Sequence, residues 1–388
     1  MTENSMTPHD GEETQLEAQV EAFGTAVTVR TAEGPGVAEL FEEMLLAWRD
    51  SVASRPGDAA NADADPDIDA GGTNTDAEYP IVKVPELNRE NFEHRAYRFS
   101  VHVTTAALQF HRGSQLMFHA GGIARPDGAV AAIVGPSGRG KTTTMGQLAR
   151  AYGYVSDETI TITASGEVFP YRKPLSVITE GHVEKIQIPP SDLGLKPLPD
   201  APLRITSLLL LERQPEGVEE SRLEPVSLAE ALIDLVQQTS YLVELPHPLR
   251  RIAEVADATG GVRRLFVGHP EGIIGVGDAL FEQGSCGPWR QAMPVATSAI
   301  PYEVSDSVVD AVECEDGTVV LTTDRQARLL TGVAPTVWRG LCEGDTWPML
   351  EARAVEMFGP PPTGSLREAL VAVCDQLLSE GILVRHTE

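Results

Sequence analysis

Apolar residues punctuate the chain with two different periods, and these periods divide it. Val37, Leu40, Phe41, Met44, Leu45 and Trp48 recur at three- and four-residue intervals, which predicts a helix with one apolar stripe. Short unbroken apolar runs elsewhere predict strands buried on both faces: AVAAIV at 129–134, SLLLL at 207–211 and RLFV at 264–267. YPIVKV after Tyr79 reads as a further strand. Ser227-Leu-Ala-Glu230 is a capping box that opens a helix with Leu228, Leu232, Leu235 and Val236 inward. Toward the C-terminus, SVVDAVECEDGTVVLTT reads as a hairpin about Asp316-Gly317. Three helices are expected after it, at 335–341, 348–358 and 365–380, the last opened by the box Ser365-Leu-Arg-Glu368 and closed at Gly381, before a strand at 382–384.

Composition adds domain limits. With 388 residues and 42% hydrophobic types, the chain can support two or three packed cores. Its net charge of -27 argues against a surface that grips nucleic acid, and no basic stripe offsets it. Residues 1–80 hold 18 acidic and 3 basic side chains, so -15 of that charge is local. Within them, 51–78 has little to bury and reads as a disordered loop; its alternating Asp63, Asp65, Asp67 and Asp69 lack the glycine turn and terminal glutamate of a calcium loop. The acidic, polar start is no signal peptide and no apolar run is long enough to span a bilayer, so no membrane partner and a cytoplasmic location are expected. Cys286, Cys314, Cys342 and Cys374 form no CxxC pair and are read as reduced, packing thiols. The expected domains are an acidic α+β region over 1–99, an α/β core over 100–270, a linker over 271–294 and a unit over 295–388 that folds alone.

The candidate chemistry lies after the 129–134 strand. Gly135-Pro-Ser-Gly-Arg-Gly-Lys141-Thr142 matches G-x-x-x-x-G-K-[ST] between a buried strand and a helix, the context a phosphate-binding loop requires. Gly135, Ser137, Gly138, Gly140 and Thr143 would surround the phosphates of ATP, Lys141 would reach the β- and γ-phosphates, and Thr142 would meet Mg²⁺. Asp157 and Glu158 follow YVS, read as a second parallel strand whose end faces that loop. One acid could hold Mg²⁺ and the other accept a proton from an attacking hydroxyl.

The run FHAGGIARPDGAVAAIVGPSGRGKTTTMGQLARAYGYVSDETITI resembles the catalytic core of the HPr kinase/phosphorylase superfamily and its serine-kinase-like relatives, with coverage of about residues 100–270. The resemblance implies a P-loop kinase fold related to phosphoenolpyruvate carboxykinase and phosphoryl transfer to a serine hydroxyl. It matches His119 to an active-site histidine, Asp157 to the catalytic acid/base, Glu158 to the second acid and metal position, and Lys173 of RKPLSV to a substrate contact. Glu158 stands where HPr kinases carry Asp, and their glycine-rich signature after the acidic pair is missing. RLLTGVAPTVWRGL and the ending LLSEGIL resemble the small winged-helix-like PqqD peptide-recognition domain.

Together these features lead to the expectation of a kinase acting on a peptide or small protein whose leader segment is recruited by residues 295–388, in modified-peptide biosynthesis. A homo-oligomer is compatible with the sequence. A nucleotide-responsive adaptor without catalysis and a kinase for free serine or another small molecule are the competing readings.

Overall fold

The computed structural model describes residues 15–55, 79–85, 87–136, 138–177, 185–215, 217–218, 220–360 and 364–385. It is a mixed α/β protein that divides into two compact units, 1–110 with 170–195 and 111–169 with 196–388.

The first unit is built on a sheet of order β3-β1-β2-β4, where β1 is Gln15–Ala22, β2 Thr25–Ala32, β3 Val52–Ser54 and β4 Ile81–Lys83. Strands β1 and β2 meet at Phe23-Gly24, both at positive φ (56° and 78°), the two-residue turn whose twist suits a hairpin. Helix α1 (Val37–Ala47) buries the stripe expected for it. Helix α2 (Phe92–Phe110) runs across the boundary expected at 99/100, because Phe92, Ala96, Phe99, Val103 and Ala107 keep one helical face apolar through that point. Strand β3 occupies the start of the expected 51–78 loop, and residues 56–78 lie outside the described part. The inserted segment 170–195 carries β11 (Leu175–Val177) and β12 (Ile186–Ile188) and delivers Tyr171, fully buried, onto Phe23 and Trp48.

In the second unit the central sheet has the order β14-β16-β13-β7-β6-β8. Its strands are β6 (Ala120–Ala124), β7 (Ala129–Val134), β8 (Gly153–Ser156), β13 (Arg204–Arg213), β14 (Arg222–Val226) and β16 (Val262–Val267). Strand β13 lies parallel to both β7 and β16. Its Leu208, Leu209, Leu210 and Leu211 are all buried, which is why that run shows no alternation. Strand β8 pairs antiparallel with β6, and β6 antiparallel with β7. So β8 points the same way as β7, as a second parallel strand should, but is not its neighbour: the tight 125–128 turn folds β6 into the gap. A smaller sheet of order β10-β9-β5-β15 joins β5 (Leu116–Phe118), β9 (Ile160–Ile162), β10 (Val168–Phe169) and β15 (Thr239–Ser240). Helices α3 (Lys141–Leu148), α4 (Leu228–Gln237) and α5 (Pro248–Ala258) complete this core, and Ser227 caps α4 by accepting from Glu230 N.

The same unit continues into a four-stranded sheet of order β17-β19-β20-β21, with β17 at Trp289–Gln291, β19 at Val308–Cys314, β20 at Gly317–Thr322 and β21 at Ala327–Leu330. The β19–β20 hairpin forms where Asp316-Gly317 predicts it. One sheet face packs into the core of α4 and α5 through Val312, Val319 and Leu321. Residues of opposite parity, Ala311 and Val320, join a cluster with α6 (Ala334–Glu343), α7 (Trp347–Phe358) and α8 (Leu366–Ser379). Both faces are thus covered, and every residue of β20 is buried. The segment 271–294, expected as a linker, holds most of a 3₁₀ stretch at Pro270–Phe281 and then edge strand β17. Its Ala292 carbonyl accepts from the buried Trp338 Nε1 at 2.7 Å. Ser365 stands at the α8 N-terminus without a side-chain cap bond, and the chain closes with β22 (Leu383–Arg385) against β18 (Tyr302–Val304).

Candidate functional site

The loop between β7 and α3 carries Gly138 and Gly140 at φ 82° and 87°. Side chains adopt that region only with strain, and a Cβ at either position would meet nothing within 4 Å, so the backbone there lies open to a ligand. Gly140 is the N-cap of α3 and has no side chain to cover the helix end, whose dipole favours an anion. Gly135 marks a tighter place: its added Cβ would come 3.1 Å from Leu211 Cβ on β13. Ser137 lies outside the described residues. Thr143 is exposed on the first turn of α3.

Lys141 folds across the loop and its Nζ donates to the Gly135 carbonyl. Partial burial pushes its pKa below the usual lysine value, against the opposing pull of Asp157 and Glu158. Thr142 Oγ1 donates to Asp157 Oδ2 at 3.2 Å, and Tyr154 OH donates to Asp157 Oδ1 at 3.0 Å. Both carboxylate oxygens are therefore oriented, one of them by the loop itself. The turn that presents the acids is held by Ser156, a buried side chain whose Oγ accepts from the backbone N–H groups of Glu158 (3.2 Å) and Thr159 (3.3 Å).

His119 joins β5 to β6. Its N–H donates to Gln238 O at 2.7 Å, its carbonyl accepts from Gly135 N at 3.3 Å, and its Nε2 lies 3.3 Å from Ser240 Oγ. Solvent reaches the ring, yet surrounding protein strips part of its hydration. That loss and the cations of Lys141 and Arg325 lower its pKa, while Glu158 acts in the opposite direction. His119, Lys141, Thr142, Asp157 and Glu158 thus surround one mouth at the C-terminal ends of β7 and β8.

Lys173 belongs to the first unit, where it is buried with Nζ 3.5 Å from Pro174 O. Three contributors lie outside the residues expected from the sequence. Tyr154 and Ser156 flank the acids and were visible only as strand residues. Glu212, closing the apolar run of β13 beside the loop strand, pairs with Arg139 of the loop at 3.0 Å and could have been found from its place after four leucines.

No family model matches the chain. Over 137 aligned residues, covering 31% of the chain, it is 31% identical to the thiamine import ATP-binding protein ThiQ of Aliivibrio fischeri. That alignment takes in 56% of the relative, so the chain spans about half the length of the curated protein it matches. The second unit carries the P-loop sequence as a strand, a glycine loop and a helix, β7 to α3. Among solved structures the chain is similar to the Hpr(Ser) kinase/phosphatase from Coxiella burnetii, at 13% identity and a TM-score of 0.22, covering 41% of this chain and 89% of that one. Among the described residues, no helix is long and apolar enough to cross a membrane, and no cluster of three His, Cys, Asp or Glu side chains could hold a metal ion.

Proposed function

We propose that the P-loop unit is an ATP-dependent kinase that moves the γ-phosphoryl group to a hydroxyl on a peptide, with Asp157 as general base. The observation that carries this reading is the 3.2 Å bond between the loop's Thr142 and Asp157, which holds a carboxylate beside the place where the loop receives phosphates.

Phosphoryl transfer needs a positive cradle, a positioned acceptor and a sink for the acceptor's proton. The open loop amides and the α3 N-terminus provide the cradle, and Lys141 adds a cation whose Gly135 bond a phosphate oxygen can replace. Thr142 and Glu158 offer hydroxyl and carboxylate oxygens, the hard donors that Mg²⁺ takes, and are the residues that would hold it. When bound, Mg²⁺ supplies neutralising charge at the phosphates. Asp157, fixed by Tyr154, takes the hydroxyl proton as that oxygen bonds to the γ-phosphorus and ADP departs. His119 faces the same mouth and serves the charge balance there.

Peptide recruitment by the C-terminal sheet completes the proposal. Strands β17 and β21 are its two edges, and an edge offers backbone N–H and C=O groups on which an extended leader segment can add as a strand. The test supplies labelled ATP and short precursor peptides to the full chain and compares Asp157→Asn. Loss of transfer by about 10²–10⁴-fold with ATP binding retained is expected. Near-normal transfer in the variant would remove Asp157 from the role of base. ATP binding without transfer in the parent protein would favour the nucleotide-responsive adaptor.

A further inference from the structure

Arg325 occupies the turn between β20 and β21, on the sheet that packs against α4 and α5. Its φ is 65°, a left-handed conformation that glycine or asparagine adopts more cheaply than arginine. The side chain gives a reason for the residue. Its Nη2 donates to Thr239 O at 2.7 Å and Val236 O at 3.4 Å, while Gln237 Nε2 returns a bond to Arg325 O at 3.5 Å. A guanidinium therefore sits just past the end of α4, on one carbonyl of its last turn and one of β15, at the negative end of that helix dipole. The other end of α4 is held by the same sheet: Ser227, its N-cap, donates Oγ to Asp316 Oδ2 at 2.6 Å.

The chain leaving α4 touches the proposed catalytic mouth. Residues 238–240 run antiparallel to 117–119, with Thr239 opposite Phe118. Gln238 O holds the His119 N–H and Ser240 Oγ meets the His119 ring, so Arg325 grips the carbonyl between the two residues that fix His119. His119 O in turn accepts from Gly135 N, the first amide of the phosphate loop. An unbroken series of bonds runs from the C-terminal sheet to that loop.

We propose that Arg325 is a positioning residue for phosphoryl transfer: from the C-terminal sheet it locks the 236–240 segment, and through it His119, in the arrangement that catalysis uses. This inference rests on the kinase reading above. It assigns the C-terminal sheet a second role, in completing the catalytic mouth as well as in meeting a partner.

The test uses the full chain with Arg325→Gly, Arg325→Lys and Arg325→Gln. Glycine relieves the backbone of its unfavourable φ, so stability alone predicts little harm. Arg325→Gly is expected to melt near the parent temperature, yet lose about tenfold to a hundredfold in kcat with the KM for ATP changed less than threefold. Arg325→Lys should recover part of the rate and Arg325→Gln should not. The independent readout is the His119 ring signal in histidine-labelled protein, assigned by its loss in His119→Asn. Lys141, Glu158 and Arg325 are the charged groups that act on this ring, and Ser240 is its hydrogen-bond partner. Removing Arg325 should raise the titration midpoint and broaden the signal. A kcat within twofold of the parent together with an unmoved His119 midpoint in Arg325→Gly would overturn the proposal. If the parent transfers no phosphate, the kinase reading fails separately, and the broadening of the His119 signal, which loss of charge alone does not produce, decides whether Arg325 fixes this residue through the 236–240 segment.

Discussion

Cutting the chain before residue 295 should leave a C-terminal fragment that cannot stand alone as a monomer. Val312, Val319 and Leu321 are fully buried in the core they share with α4 and α5, which lie outside residues 295–388. Exposing an aliphatic side chain of this size costs about 2 kcal/mol, so the three cost about 6 kcal/mol, an upper figure because an unfolded chain is itself partly compact. The cut also removes Ala292, leaving the fully buried Trp338 indole N–H without its 2.7 Å acceptor, which costs about 1–3 kcal/mol more. Small domains hold only roughly 5–15 kcal/mol of stability in all. The fragment 295–388 is therefore expected to self-associate through the bared face and to lose a cooperative transition. Sedimentation and urea unfolding followed by tryptophan fluorescence would report both. A monomer that unfolds cooperatively at the full chain's midpoint would refute the shared core and restore the sequence-based expectation of an independent unit.

Lys141→Ala should weaken ATP binding by at least tenfold in calorimetry, because it deletes the loop's only lysine; unchanged affinity would put the nucleotide elsewhere. Burial raises the thiols of Cys342 and Cys374 to about 12. Free cysteine ionises near about 8.5, so these two groups contribute stability that is complete below that pH and is lost as pH rises toward 12. Cys374→Ala should lose less stability than the parent between about pH 8.5 and 10 in urea titrations, and equal losses would show that this thiol does not set the alkaline limit.

Much of the site was legible because it is local. A buried strand, a glycine loop and a helix start within fourteen residues define Lys141 and Thr142, and the acidic pair comes directly after the next strand. The direction of β8 relative to its neighbour was not legible, since an antiparallel β6 folded between two co-directed strands leaves no mark in their periodicity. The Phe92-to-Ala107 stripe was present in the sequence, but a boundary drawn where the family resemblance begins cut through it. Arg325 could not have been found from spacing: 86 residues separate it from Thr239, and a left-handed arginine has no sequence signature.

The placement of Tyr171 has a consequence for synthesis. The first unit's core closes around this ring, which packs on Phe23 and Trp48, yet it lies some sixty residues beyond Phe110, where the unit's first stretch ends. At about 5–20 residues per second, a ribosome adds that interval in roughly 3–12 seconds. For that time the emerging β1–β2 hairpin, α1 and α2 must wait with an aromatic socket unfilled, while the phosphate loop and its flanking strands are being made. The nucleotide-binding segment is thus translated inside the folding interval of its neighbour, and a chaperone that shields exposed aromatic surface would find its window there.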